Sequence, residues 1–528
     1  MSALYISLVA FILLGAGYLI YAKRLERLWQ VDFKKSTPAN YKFDNVDYVP
    51  ARNWLVLFGH HFSSIAGAGP IIGPVIAVAL WGWLPALLWV VLGSIFIGGV
   101  HDFGSLITSV KEGGSSISDI AGRVISKRAK ILTSLFLWFT LILIISVFAY
   151  LCADTFVKEP KIVLPSLGLI PVALLIGYLL YYLKVNSFLA TSLGLILLLS
   201  LILLGNHLPV TSGVFFWLVV LFLYSYLASI LPVNLLLQPR DYLASFLLFF
   251  GILIGYLGIL FSRPQITMPS YTQWAPNNLK LWPMLFVTVA CGAVSGFHAL
   301  ISSGTTSKQI NSQRHAKRIG YGGMVVEALL AVIAIISVGI IFKTPGDASL
   351  ALKSIGPIGI FAQGFNALTK GFLGDFGGLI AVTILNAFIL TTLDTATRIL
   401  RYLTEELFQI KNRYLSTAII VLISLSLALS GQWNKVWPAF GAANQLVATL
   451  ALFVLGAYLL SKSRPSALVF LPAIFMLATS MGALALQAFE YIRQRDLPLF
   501  IITLLLLLLA SFMTIELIFK VIRRKKDE

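Results

Sequence analysis

Ionisable side chains lie within several long apolar stretches of this sequence, and four of these stretches hold the residues considered first. His60 and His61 lie in the first stretch, His298 in the second, Glu327 in the third and Asp394 in the fourth. An ionisable group inside a hydrocarbon environment is costly and is therefore a candidate for a functional role. We expect His61, His298, Glu327 and Asp394 to carry protons, with His298 and Glu327 as the leading candidates.

Each of these residues also has a purely structural interpretation. The two adjacent histidines could form a pair at the level of the lipid headgroups. Glu327 could form a salt bridge with the nearby Arg318 or Lys317. Arg398 lies four residues after Asp394, and this spacing favours an ion pair on one face of a helix.

The stretch around His298 is rich in hydroxyl groups. Ser295, His298 and Ser302 are spaced i, i+3 and i+7, so they share one face of a helix. This polar stripe indicates a wetted lining. His101 and Asp102 are adjacent and cannot face each other on a helix, so we expect them to cap or pair with neighbouring helices.

Glycine and proline interrupt the apolar stretch that follows His61. Gly67, Gly69, Pro70, Gly73 and Pro74 fall within eight residues. The prolines lack an N–H group and the glycines remove the steric preference for helix, which predicts an unwound segment. Close packing of two helices through small residues is the alternative, but two prolines add nothing to such a packing face.

An unwound segment in a membrane exposes backbone groups that can bind a ligand. The start of a half-helix has free N–H groups and the positive end of the helix dipole, so it favours a substrate carboxylate. We therefore expect the substrate to be bound by Ser63, Ser64, Ala66, Gly67 and Gly69 of this interrupted region, by Asn234 of a second one, and by Ser295 and His298 of the polar stripe.

The composition of the chain indicates the environment in which these groups lie. The chain has 528 residues, of which 58% are hydrophobic and 11% are charged. In soluble domains about 45–50% of the residues are apolar and about 25% are charged. These values exclude a water-soluble enzyme, a disordered chain and a free nucleic-acid-binding protein. Fifteen apolar stretches are long enough to span a bilayer, which takes about 20 residues each. The sequence therefore predicts an all-α polytopic membrane protein with about fifteen transmembrane helices.

The formal charge of +18 is explained by topology. With the N-terminus outside, alternating the fifteen stretches places 29 of the 39 basic residues on the inner side. Basic loops are retained on the cytoplasmic side of a membrane. The C-terminus is then predicted to be cytoplasmic, in a multi-pass protein of the cell membrane.

A second interruption is predicted between Ser225 and Asp241, where Pro232, Asn234 and Gln238 follow small and hydroxyl residues. The two interrupted stretches lie five stretches apart and run in opposite directions. This arrangement is typical of an inverted-repeat secondary transporter. It divides the chain into an additional N-terminal helix and loop, two five-helix repeats, and accessory helices, at residues 1–58, 59–205, 206–398 and 399–528.

Two other classes of protein compete with a transporter. A membrane-embedded metal-dependent enzyme could use the histidines and Asp102 as ligands, but no helical ligand spacing such as HExxH occurs. An ion channel could also use broken helices, but no filter-like repeat occurs. The sequence has no GxxxxGK[ST] nucleotide loop, so ATP-driven transport is not supported. We expect no cofactor, metal or nucleic-acid partner.

Several long motifs resemble the carbon starvation protein A family. They lie at residues 59–74, 81–86, 100–103, 231–242 and 291–309, and the resemblance covers about residues 50–460. Members of that family are inner-membrane transporters of bacteria and archaea, linked to uptake of peptides and, in a related branch, of pyruvate with protons. The resemblance also implies the LeuT/APC-like fold of five plus five inverted helices with two discontinuous helices.

The combined expectation is a proton-coupled secondary active transporter. It would import short peptides or small carboxylates such as pyruvate across the inner membrane by alternating access. Its partners would be the small-molecule substrate, the proton and the lipid bilayer.

Overall fold

Backbone polar groups find no hydrogen-bond partners in hydrocarbon, so a membrane-spanning chain of this composition is expected to be helical. In the computed structural model, which describes residues 1–431 and 433–527, the regular structure is helical, and an isolated β-bridge joins Ser2 to Gln265. Twelve helices among these residues are long and apolar enough to cross a membrane. The prediction of an all-α, multi-pass membrane protein is confirmed.

The helices follow one another with short connections. In chain order they are α1 (Ala3–Leu28), α2 (Trp54–Ala66), α3 (Gly69–Trp81), α4 (Trp83–Lys111), α5 (Ile117–Val124), α6 (Lys127–Lys158), α7 (Pro160–Tyr182), α8 (Ser187–His207), α9 (Val214–Ile230), α10 (Leu237–Ser262), α11 (Leu281–Thr288), α12 (Ala290–Ala293), α13 (Gly296–Gly304), α14 (Gln313–Ile341), α15 (Pro345–Ser354), α16 (Gly356–Leu373), α17 (Phe376–Phe408), α18 (Arg413–Ala428), α19 (Trp433–Ser461), α20 (Ala467–Arg493) and α21 (Leu497–Asp527). The figure of fifteen crossings stays a prediction, because α9, α18 and the interrupted segment α11–α13 fall outside the twelve.

The first interruption lies where the glycines and prolines predict it. Helix α2 ends at Ala66, and Gly67 has φ +50° and ψ −154°. This conformation is open to glycine and strained for other residues. Helix α3 begins at Gly69 with Pro70 in its first turn, where the missing N–H group costs nothing. The predicted unwound segment is confirmed.

The second interruption lies elsewhere than predicted. Helix α9 ends at Ile230 and α10 begins at Leu237, so the polar segment containing Pro232 connects two helices instead of breaking one. A proline followed by amide side chains can end a helix at a connection between two helices or at a break inside one. The sequence pattern therefore does not distinguish the two cases. The prediction of an interruption between Ser225 and Asp241 is therefore wrong.

A second discontinuous segment is formed by α11, α12 and α13. Val294 and Ser295 leave the helical conformation, with φ −152°, ψ 33° and φ −57°, ψ 121°, and α13 begins at Gly296. Residues 288–296 hold Gly292, Ser295 and Gly296 but no proline, so they have the pattern of a helix that packs closely through small residues. Composition alone therefore gave little sign of this discontinuity.

The two discontinuities are in direct contact. Helix α3 packs against α11 and α12, while α2 packs against α13, so the two segments run antiparallel. A Cβ atom at Gly69 would lie 1.9 Å from the Cβ atom of Cys291. Gly292 also packs closely on Pro70, because a Cβ atom at Gly292 would lie 3.2 Å from the Pro70 Cα atom. Small residues thus allow the two unwound points to meet.

A segment between α1 and α2 crosses one end of the helix bundle. We call residues 37–52 the strap. Its Ala51 N–H group donates to the carbonyl of Gln309, and its Val46 carbonyl accepts from Val233. Thr37 donates to the carbonyl of Ile310 over 2.5 Å. The strap therefore ties together the residues that follow α13 and those that precede α10.

Asp47 fixes the strap to α17. Its Oδ1 atom lies 2.9 Å from Arg398 and 3.5 Å from Arg401, and it accepts a hydrogen bond of 2.5 Å from Tyr402. Burial alone would raise the pKa of the Asp47 carboxyl. The guanidinium groups of Arg398 and Arg401, with the ammonium group of Lys308, outweigh this effect and lower the pKa below its ordinary value. The carboxylate is therefore ionised throughout the neutral range.

Substitution of Gly69 tests the contact between the two discontinuities. Gly69→Ala places a Cβ atom where Cys291 already lies, and overpacking of this kind costs about 1–3 kcal/mol. We expect a lower melting temperature in detergent, measured by tryptophan fluorescence. Gly15→Ala is the control, because nothing lies within 4 Å of its Cβ position. Adding Cys291→Gly should restore part of the loss, and an unaltered melting temperature in Gly69→Ala would contradict the contact.

Substitution of Asp47 tests the strap. Asp47→Asn leaves the fully buried Arg398 without its carboxylate, and breaking such a pair costs about 3 kcal/mol. We expect a melting temperature well below that of wild type between pH 5 and 8. A lowered pKa means that the contribution is complete above the ordinary value of 3.8 and is lost as the pH falls through the lowered value.

The same thermal measurement supplies the control for the strap. Asp154→Asn removes a pair with Lys158, whose side chain is 67% exposed, so it should change the melting temperature little. Equal effects of the two substitutions, or a difference between wild type and Asp47→Asn that disappears already at pH 6, would argue against the strap being fixed by Asp47.

Candidate functional site

Two adjacent histidines on α2 enter two different polar clusters. Successive residues of a helix point about 100° apart, so His60 and His61 cannot share partners. Both side chains are fully buried, which rules out the interfacial pair at headgroup level. His61 faces α4, α13 and α14, and His60 faces α10.

The first cluster joins His61, Asp102, His298 and Glu327, and we call it the four-residue cluster. His61 Nε2 lies 3.2 Å from Asp102 Oδ2, and His298 Nδ1 lies 3.5 Å from the same oxygen. His298 Nε2 lies 2.9 Å from Glu327 Oε2. The four side chains come from α2, α4, α13 and α14, and all are fully buried. They alternate imidazole and carboxylate groups, and within the described residues neither ring nitrogen of His298 and neither oxygen of Glu327 forms a hydrogen bond.

Two hydroxyl groups complete the four-residue cluster. Ser302 donates a hydrogen bond to Asp102 Oδ1, and Thr306 Oγ1 lies 2.9 Å from His61 Nδ1. Ser302 and His298 thus reach Asp102 from one face of α13, as their spacing predicts.

The charge balance of the four-residue cluster requires protons. Asp102 and Glu327 would place two negative charges in the interior if both were ionised and both imidazoles were neutral. Unpaired buried charge is very costly. Protonation of the two histidines would balance it, and each proton has a neighbouring acceptor within 3.5 Å. The net charge of the cluster is therefore set by how many of these four groups are protonated.

The structure brings together three of the four predicted proton carriers, namely His61, His298 and Glu327. The predicted structural alternative for Glu327 is wrong, because Lys317 pairs with Glu26 over 3.0 Å. Asp102 was interpreted from sequence as a structural pair, and its central position between two histidines was missed. Its location within an apolar stretch was the available signal.

The second cluster contains the fourth predicted carrier, Asp394. Asp394 forms an ion pair with Arg240 of α10 and accepts a hydrogen bond of 2.5 Å from Tyr224 of α9. The expected ion pair with Arg398 is not formed, because Arg398 turns to Asp47. His60 Nδ1 lies 2.6 Å from Asp241 Oδ2 in the same cluster. Asp394 is thus separated from the other three carriers by helix α2.

The predicted substrate-binding serines of α2 also belong to the second cluster. Ser63 donates to the Asp241 carbonyl over 2.9 Å, and Ser64 donates to Asp241 Oδ2 over 3.3 Å. Asn234 lies apart from them, in the connection before α10, where its backbone packs on Gly177 of α7. The structure therefore does not group Asn234 with the other candidates.

Side chains of neighbouring helices cover both discontinuities. Thr391 and Thr392 of α17 donate to the carbonyls of Ser63 and Ser64, which lack helical partners at the end of α2. Gly67 packs beside them, with its Cβ position 3.0 Å from Thr392 Oγ1. The backbone of Ser63 to Gly67 is therefore held by α17.

At the second discontinuity, the side chain of Asn444 on α19 forms hydrogen bonds with the unwound segment. Its Oδ1 atom accepts from the Phe297 N–H group over 3.0 Å, and its amide donates to Ser295 Oγ over 3.0 Å and to Cys291 Sγ over 3.2 Å. Ser295 is therefore placed at the unwound point, whereas the sequence predicted it on a continuous helical face with His298. Asn444 was expected from sequence only to bond between helices.

Within the described part of the chain, no group of three or more His, Cys, Asp or Glu side chains is arranged to hold a metal ion.

Comparison with known proteins places the chain in a family. The family model described as "Carbon starvation protein CstA" matches residues 2–345 and 343–483. A Bacillus subtilis (strain 168) protein named "Peptide transporter CstA" is 31% identical over 519 residues, covering 88% of this chain and 86% of that protein. The Escherichia coli (strain K12) protein named "Pyruvate/proton symporter BtsT" is 28% identical, covering 93% and 82%.

The fold also resembles that of a solved membrane transporter. The crystal structure of the Eremococcus coleocola manganese transporter in complex with an aromatic bis-isothiourea substituted compound matches with a TM-score of 0.57 and 14% identity, covering 91% of this chain and 99% of that one. At this identity the likeness concerns the fold alone. The family match and the relatives agree with the motifs found in the sequence, and the chain belongs to the carbon starvation protein CstA family.

Proposed function

We propose that this chain is a proton-coupled secondary active transporter that imports short peptides or small carboxylates such as pyruvate. The observation that carries the proposal is the four-residue cluster beside two antiparallel discontinuous helices. Relatives named as a peptide transporter and as a pyruvate/proton symporter support the substrate class and the coupling ion. The membrane is proposed to be the inner membrane of a bacterium or archaeon.

The proton-carrying part of the proposal rests on Glu327, His298, Asp102 and His61. Their path begins on α14, passes α13 and α4, and ends on α2, one helical turn and a half before Gly67. A change in protonation at Glu327 therefore alters the electrostatic environment of α2 close to its discontinuity. This gives the proton a direct means of changing the conformation of the substrate site.

The substrate is proposed to bind where the two discontinuities meet. The N–H groups around Gly67 to Gly69 and the dipole of α3 attract substrate oxygen atoms. Ser63, Ser64, Ala66, Ser295 and His298 surround this position, and Asn234 remains a candidate contact from the connection before α10. In the present conformation Cys291 and Phe148 pack against the discontinuity. Substrate entry therefore requires the discontinuous segments to separate.

Alternating access would provide that separation. Residues 59–205 and 206–398 are proposed to be inverted repeats of a LeuT/APC-like fold, with 1–58 and 399–528 as additions. The N-terminus is proposed to be outside and the C-terminus cytoplasmic. The strap then covers the cytoplasmic ends of α10, α13 and α17 in the closed state.

Replacement of Glu327 tests proton coupling. Glu327→Gln keeps the size of the side chain and removes its proton exchange, so uptake driven by an inward proton gradient should fall at least tenfold in proteoliposomes. Exchange of substrate without a gradient should persist. The exposed Glu490→Gln is the matched control, and it should transport like wild type. Coupled uptake that is unchanged in Glu327→Gln would remove this residue from the mechanism.

A competition assay tests the proposed substrate class. Wild-type uptake of radiolabelled trialanine or pyruvate should saturate and should be inhibited by the unlabelled compound. Both rates should rise with an inward proton gradient. A rate indifferent to the gradient would argue against proton coupling, and an ion conductance that does not saturate would favour a channel.

A further inference from the structure

Arg240 has a free edge that the protein leaves unpaired. Its side chain is fully buried on α10, and its Nη1 atom forms the ion pair with Asp394. Its Nε and Nη2 atoms are buried, and among the residues that the structure describes they have no hydrogen-bond partner. Nε and Nη2 form one edge of the guanidinium plane, with two N–H donors that point in the same direction. This edge is the one that carboxylates bind in a bidentate manner.

The groups around Arg240 do not satisfy that edge. Tyr224 of α9 presents its ring 5.3 Å from the guanidinium carbon, which is a cation–π contact. Asp241 Oδ1 lies 3.9 Å from Nη1, beyond hydrogen-bond distance, while Asp241 Oδ2 is occupied by His60 and Ser64. The charged and titratable groups facing Arg240 and Asp394 are Tyr224 of α9, Asp241 of α10, His60 of α2 and Cys152 of α6.

Leaving donors unpaired in the interior is costly. Each buried donor without a partner costs about 1–3 kcal/mol, and more when the group is charged. Such a group in a native structure needs an explanation, and a ligand that supplies two acceptor oxygens is a direct one. A carboxylate supplies both oxygens at the spacing of Nε and Nη2. The proposed substrates, peptides and pyruvate, all carry one.

The free edge also lies close to the first discontinuity. Asp241, the next residue after Arg240, contacts Ser64 in the last turn of α2. Thr395, beside Asp394, lies 3.2 Å from the same serine hydroxyl. A ligand of a few non-hydrogen atoms could therefore contact Arg240 and the unwound backbone after Ala66 together.

We propose that Arg240 binds the carboxylate of the substrate through Nε and Nη2, and that Asp394 competes with that carboxylate for the guanidinium charge. The single positive charge of Arg240 then faces two carboxylates, that of Asp394 and that of the substrate. One of the two must be neutralised when both are present. A proton on Asp394 achieves this, so proton uptake favours substrate binding and substrate release favours return of the ion pair. This inference rests on the proposed transport function and names Arg240 as a specificity-determining residue.

Binding measurements on the purified full chain test this role. The probes are trialanine and trialanine amide, with pyruvate and pyruvamide as the second pair, and the readout is the ligand-dependent shift in melting temperature with fitted Kd. Wild type should bind each carboxylate at least tenfold more tightly than its amide. Arg240→Gln should bind acid and amide equally. Arg263→Gln, an exposed arginine following the same helix, should keep the wild-type preference.

A second variant tests the competition with Asp394. Asp394→Asn imitates the protonated carboxyl, so the Kd for trialanine should vary less with pH between 5 and 8 than it does in wild type. Wild type should bind more tightly as the pH falls. If Arg240→Gln does not fold, Arg240→Lys keeps the charge without the two-donor edge and should lose most of the preference for the acid.

Failure of the inference can be told from failure of the proposed function. A wild type that shows gradient-driven uptake but no preference for acid over amide overturns the role of Arg240 and leaves the transport function standing. The same holds if Arg240→Gln, or Arg240→Lys in its place, retains the wild-type preference. An Asp394→Asn variant whose affinity varies with pH as steeply as that of wild type overturns the competition. A wild type that transports neither probe overturns the transport function, and this inference with it.

Discussion

Every interruption of a helix inside hydrocarbon must have its backbone groups paired, and this requirement governs the arrangement of the molecule. At the first discontinuity, the hydroxyl groups of Thr391 and Thr392 on α17 donate hydrogen bonds to the carbonyls that end α2. At the second, Asn444 of α19 caps the start of α13. Helices α17 and α19 are thus held at fixed distances from the unwound points. The accessory C-terminal region, through α19, belongs structurally to the site.

The two polar clusters have different chemical characters although they meet at one helix. The four-residue cluster pairs imidazoles with carboxylates and has no permanent cation, so its charge is set by protons. The second cluster contains Arg240, whose charge is permanent, and its balance is set by which carboxylate faces it. Helix α2 connects the two through His60 and His61. In a transporter that couples two ligands, binding at one site must change the affinity of the other, and a helix shared by both sites provides such a connection.

Sequence alone predicted the helical membrane class, the first discontinuity and three members of the four-residue cluster. These succeeded because ionisable residues are rare in apolar helices, and because three glycines and two prolines within eight residues stand out there. The second discontinuity was misplaced, because Val294 and Ser295 are unwound by tertiary contacts with α3 and Asn444, which leave no local signal. Asp102, Arg240 and the Asp47 contact to Arg398 were missed for a related reason, since ion-pair partners from distant segments cannot be read from spacing.

The consecutive position of His60 and His61 on α2 has a consequence for how the family can vary in length. One residue inserted between His61 and Ala66 would turn both histidines by about 100° relative to Gly67. Both histidines lie before that glycine, and each would lose its carboxylate at once. Connections elsewhere can change length one residue at a time, but α2 is a fixed-length spacer between the strap and the unwound point. Its length is as strict a requirement as the identity of the histidines that it carries.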